Sequence, residues 1–125
     1  MSHIPDDQLA LSYELAKMSF EQRNYAAAAG RLVELLEVEP GNVGARLLLA
    51  RSYFHSAQLA KAEVTLRDVL DRDPTEAYAH LMLGRVLQRQ SRHDEARSSL
   101  RMAAVMNPAY ADDTGGLPRP EEPQH

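Results

Sequence analysis

The chain reads as all-α, an α-solenoid of three antiparallel helix pairs. Three observations predict this. Pro40, Pro74 and Pro108 stand 34 residues apart, which is the period of a helix–turn–helix solenoid. The residues between them repeat in the same register. Hydrophobic residues make up 44% of the chain and recur at helical spacing, enough for a core built of stacked layers.

With each proline set at position 32, the repeats are 9–42, 43–76 and 77–110. The first helix is expected near 8–21 and its partner near 25–37, ending before Pro40. The second pair falls near 43–55 and 59–71, ending before Pro74. The third falls near 77–89 and 93–106, ending before Pro108. Proline stops each second helix because it lacks an N–H and disfavours helix in the residue before it. Small residues at position 8 (Ala16, Ala50, Gly84) and position 20 (Ala28, Ala62, Ala96) let the two helices of a pair approach closely. Large residues at position 7 (Leu15, Leu49, Leu83) and position 24 (Leu32, Leu66, Leu100) fill the space beside them. Gly30, inside a helix, costs about 1 kcal/mol against alanine. With Ala26 to Ala29 before it, it gives that helix a thin face for a close neighbour.

This pattern, with Leu35, Val69 and Ala103 at position 27, resembles the tetratricopeptide repeat over 102 of the 125 residues. The resemblance implies a right-handed superhelix. It also exposes departures. The glycine often found at position 15, between the helices, is Arg23, Ala57 and Ser91 here. The aromatic expected at position 4 is Ser12, Arg46 and His80, and the tyrosine of position 11 survives only as Tyr53. The fold is expected to survive these changes with some loss of stability.

Composition excludes several classes. With no cysteine there is no disulfide, thiol chemistry or cysteine–zinc site. No apolar stretch reaches the ~20 residues that span a bilayer. Residues 1–8 are short, polar and acidic, without a signal-peptide pattern. A cytoplasmic protein with no membrane association is expected. Arginine outnumbers lysine 12 to 2, a bias read as a GC-rich, bacterial genome. The net charge of −4 argues against nucleic acid as partner, since phosphate binding needs a dense basic face. The charge is uneven. The first repeat has five acids and three bases, the second five of each, the third two acids and five bases. The tail 111–125 has four acids, one arginine, three prolines and two glycines. It is read as disordered, because one large aliphatic residue, Leu117, cannot offset the entropy of ordering it.

The resemblance implies that positions 2, 5, 9, 12 and 13 of the first helices line a ligand groove. Position 9 is Lys17, Arg51 and Arg85, a basic column. Around it stand Tyr13, Leu47 and Leu81 at position 5, Phe20 and Phe54 at position 12, His55 and Arg89 at position 13, and Tyr78 at position 2. Arginine grips carboxylates with paired hydrogen bonds, and rings supply buried area at low entropy cost. The expected ligand is thus an acidic and apolar peptide segment of a partner protein. Family members that clamp heat-shock chaperone tails use lysine, asparagine and arginine at five positions. These hold Tyr13, Lys17, Leu48, Tyr78 and Met82 here, so that version is set aside.

No catalytic constellation is visible. The five histidines are scattered, without the i, i+4 spacing of a helical metal site. His80, at an aromatic position, is expected to pack. No enzyme activity, cofactor or metal is expected. A second reading is a self-associating homodimer. The chain is expected to leave the third repeat at Pro108 without a closing helix, leaving the side that bears Leu83, Leu87, Leu100 and Val105 partly uncovered. Arg97 and Arg101 on the same helix would make that face more polar.

Overall fold

A computed structural model describes residues 8–111 of the chain. The segments 1–7 and 112–125, including almost all of the expected tail, lie outside the described residues. The described chain is all-α: α1 (Leu9–Glu21), α2 (Tyr25–Val38), α3 (Val43–His55), α4 (Leu59–Arg72), α5 (Ala77–Arg89) and α6 (His93–Met106), then a 3-10 turn over Pro108–Tyr110. Each helix begins and ends within one residue of its expected limit. None is long and apolar enough to cross a membrane.

The helices of each pair are joined by three residues, and the three turns share one hydrogen-bond pattern. Arg23 N donates to Phe20 O and Asn24 N to Ser19 O. Ala57 and Gln58 repeat this onto Phe54 and Tyr53, and Ser91 and Arg92 onto Gln88 and Leu87. Such a double closure needs a left-handed residue at its centre. Arg23, Ala57 and Ser91 supply it at φ 63°, 62° and 61°. Those are the three positions where the family pattern has glycine.

The longer connections between pairs are tied down by side chains. Asn42 caps α3 by accepting from Ala45 N at 2.9 Å, satisfying a donor that the helix leaves open. Arg46 donates to the Pro40 carbonyl. His80 Nε2 donates to the Pro74 carbonyl at 2.9 Å. His80 therefore does more than pack: position 4, deprived of its aromatic, fastens the preceding proline loop in both cases. Asp73 Oδ1 accepts from the Thr75 hydroxyl and amide at 2.6 and 3.0 Å. These bonds, the hydroxyl's first, hold its carboxyl below the ordinary aspartate range.

The chain divides into two compact units at Thr65/Leu66, inside α4. In the first, α2 packs against both α1 and α3. Its core gathers Ala16, Ala29, Leu32, Leu35, Leu36, Ala45, Leu48 and Leu49, with Leu9, Tyr13, Phe20 and Tyr53 at the margin. In the second, α5 packs on α6. A Cβ on Gly84 of α5 would sit 2.6 Å from Leu100 Cδ2 of α6, so the absence of a side chain there sets how closely the two helices lie. Leu81, Leu100 and Ala103 cluster beneath Tyr78 and Tyr110.

That cluster corrects the expectation for the carboxyl end. The chain does not run straight off at Pro108. It makes the 3-10 turn, started by Asn107 accepting from Ala109 N at 3.0 Å, and Tyr110 returns to pack on the cluster. Leu100 is buried in that cluster, and Leu83 and Leu87 are buried as well; of the four residues expected on an uncovered face, only Val105 is exposed, at 74%.

Candidate functional site

In the first unit, α1 and α3 carry seven of the expected groove residues. Tyr13, Lys17, Phe20, Leu47, Arg51 and Phe54 are half-buried, and His55 is exposed. Half-burial suits a binding surface: each side chain is held by neighbours yet keeps area to give.

The structure brings four of these together and adds a fifth. The Arg51 guanidinium lies over the Phe20 ring, 4.6 Å from its centroid. Phe20 meets His55 edge-on at 5.5 Å, and Phe54 meets the same imidazole edge-on at 5.5 Å. Tyr25 stacks on His55 at 5.3 Å with planes 18° apart and meets Phe20 edge-on at 5.3 Å. Three rings, an imidazole and a cation thus form one surface cluster. Tyr25 opens α2 and was not among the expected residues. Its signal was its distance from Phe20: five residues apart, they straddle the tight turn at Arg23, which folds one ring onto the other.

Lys17 is placed differently. Its ammonium lies 3.8 Å from the Glu14 carboxylate and 5.8 Å from the Tyr13 ring centroid. The Tyr13 hydroxyl sits beside Gly44 at the start of α3, where an added Cβ would lie 3.5 Å away. Lys17 is therefore a partly balanced cation on an exposed rim, whereas Arg51 is a cation seated on a ring. A guanidinium carries N–H donors in a planar fork, and a carboxylate can take two of them.

In the second unit, Tyr78 and Arg85 are half-buried and Arg89 is exposed. Leu81 is a correction. It is only 5% exposed, because Tyr78 and Tyr110 close over it with Leu100 and Ala103. It serves the core and has little surface for a ligand. Among the described residues, no three His, Asp or Glu side chains come together as metal ligands.

Comparison with known proteins bears on the family and the fold. The family model for the tetratricopeptide repeat matches residues 19–85. The BBSome complex member bbs-4 of Caenorhabditis elegans is 29% identical over 90 residues, 72% of this chain. The chain spans about a fifth of that relative's length (20%). Among solved structures, the Arabidopsis OM64 TPR domain superposes with a TM-score of 0.81 at 17% identity, covering 86% of this chain and 91% of that one. The first TPR of Spaghetti (RPAP3), bound to the HSP90 peptide SRMEEVD, superposes at 0.80 and 16% identity, covering 90% and 91%. At these identities the two superpositions speak for the fold.

Proposed function

The chain belongs to the tetratricopeptide repeat family, and we propose that it is a non-enzymatic interaction module that binds an acidic peptide segment with apolar anchors. The observation that carries this reading is Arg51, half-buried and stacked on Phe20, beside the exposed imidazole of His55. It is a cation seated over a ring, and its N–H groups are the donors offered to a carboxylate. A carboxylate of the peptide takes the guanidinium edge, while an aliphatic or aromatic residue next to it lies on Phe20, Tyr25 and Phe54. Lys17 steers acidic groups from the rim, with Tyr13 and Leu47 as apolar contacts. Tyr78, Arg85 and Arg89 offer the same chemistry on α5.

The peptide held by the Spaghetti domain mixes acidic and apolar residues, the class proposed for this chain. The clamp side chains are missing at Tyr13, Leu48, Tyr78 and Met82, so recognition here relies on Arg51 and the ring cluster. Self-association through the carboxyl-terminal helix pair is weakened as a second reading, because Val105 alone of its four residues is exposed.

Selection from a random peptide display library tests the proposal. The expected winners carry Asp or Glu next to Leu, Ile, Phe or Trp, and Arg51→Glu loses them. Winners rich in Lys and Arg, or retained unchanged by Arg51→Glu, would contradict it.

A further inference from the structure

Three positions of the first helices mark a face that is buried in both α3 and α5. Positions 3, 6 and 10 are Ala45, Leu48 and Ser52 in α3, and Ala79, Met82 and Val86 in α5; all six are buried. In α3 the covering element is α2, whose Ala29, Leu32, Leu35 and Leu36 share a core with Ala45 and Leu48. In α1 the same positions are Leu11, Glu14 and Met18. Leu11 is 56% and Met18 51% exposed, and Glu14 is exposed. Two large apolar side chains therefore stand in the open on a face that is covered in the other two first helices.

The charge of this face points to its occupant. Leu11, Glu14, Met18 and Glu21 run along one stripe of α1, alternating apolar and acidic. On α6, Arg97, Arg101 and Val105 follow one another at i, i+4 spacing, with Met102 alongside, and all four are exposed. Arg97 shares its charge with Asp94 at 2.6 Å. The repeats carry the same asymmetry: five acids against three bases in the first, two acids against five bases in the third. An α1–α1 contact would oppose Glu14 and Glu21 to themselves, and an α6–α6 contact would oppose the arginines.

We infer that α6 of a second copy of this chain covers the α1 face, so that copies associate head to tail. Leu11 and Met18 lie against Val105 and Met102, and Glu14 and Glu21 face Arg101 and Arg97. The contact is heterologous, so it grows beyond a dimer unless a ring closes. It revises the self-association reading above: of that reading's face it keeps Val105, with Arg97 and Arg101, and it sets α1 of another copy against them. It does not depend on the peptide site, whose Arg51 lies outside both stripes.

Two variants of the full chain test it by light scattering over a range of concentrations. Leu11→Glu/Met18→Glu blocks the α1 face, and Arg101→Glu/Val105→Glu blocks the α6 face. All four are exposed positions, and circular dichroism checks that the helices persist. The wild-type mass is expected to rise with concentration past that of a dimer, and to fall at high salt as the ion pairs are screened. Each variant alone is expected to stay monomeric. Mixed, they retain one good face each and form a one-to-one dimer that grows no further.

A wild-type chain that is monomeric throughout would overturn the inference. So would an Arg101→Glu/Val105→Glu variant that still dimerises, since that assigns the face to an α1–α1 contact. Association that appears only after removal of residues 2–7 would assign the face to that segment and equally overturn it.

Discussion

Arg23, Ala57 and Ser91 hold a backbone conformation that costs an L-residue about 1–2 kcal/mol. The double hydrogen-bond closure of each turn keeps them there. Replacing them by glycine removes the Cβ penalty but adds chain entropy to the unfolded state, about 0.5–1 kcal/mol per site. The net gain is between about 0 and about 1.5 kcal/mol each. The triple glycine variant is expected to raise the urea midpoint with an unchanged slope; an unchanged or lowered midpoint would show that the side chains repay their strain. Gly30 is the opposite case. It is exposed in mid-helix, with nothing within 4 Å of an added Cβ, so the close packing of α2 falls to the buried Ala28 and Ala29 and not to Gly30. Gly30→Ala is therefore expected to stabilise the chain by about 1 kcal/mol, measured in the same titration.

At the scale of the element, the pair α5/α6 depends on Gly84. A side chain there meets Leu100 Cγ and Cδ2 at 2.7 and 2.6 Å, and Leu100 is held in turn by Leu81, Ala103 and Tyr110. Gly84→Val is expected to cost about 1–3 kcal/mol by overpacking; a loss below a few tenths would mean the helices separate freely. The helices themselves were legible to within a residue, because the 34-residue register carries each limit from repeat to repeat and the prolines are local stops. The short Pro108–Tyr110 turn was not. Pro108 was read as a terminator, and the return of Tyr110 to Leu100 depends on a contact ten residues back that no local pattern encodes. Tyr25 was missed for a related reason: its ring meets Phe20 and His55 only after a turn that lacks its usual glycine has closed.

For the whole molecule, the repeat explains both what the sequence told and what it hid. A 34-residue register makes equivalent positions look alike, so it placed Lys17 and Arg51 as one kind of residue. The structure separates them: one is balanced by Glu14, the other seated on Phe20. The same register hid the difference between α1 and its successors, since whether positions 3 and 10 are buried depends on the helix laid over them and not on the residue. Leu11 and Met18 stand open for that reason, while the carboxyl-terminal pair, expected to be uncovered, is largely closed. The functional claim rests on Arg51 and its rings. Fluorescence anisotropy of a labelled display-selected acidic peptide tests it most directly, with wild type and Arg51→Glu titrated at low and high salt. The account predicts binding by the wild type that weakens with salt, and at least a tenfold loss in the variant, about 1.4 kcal/mol or more. Equal affinities for the two proteins would contradict it.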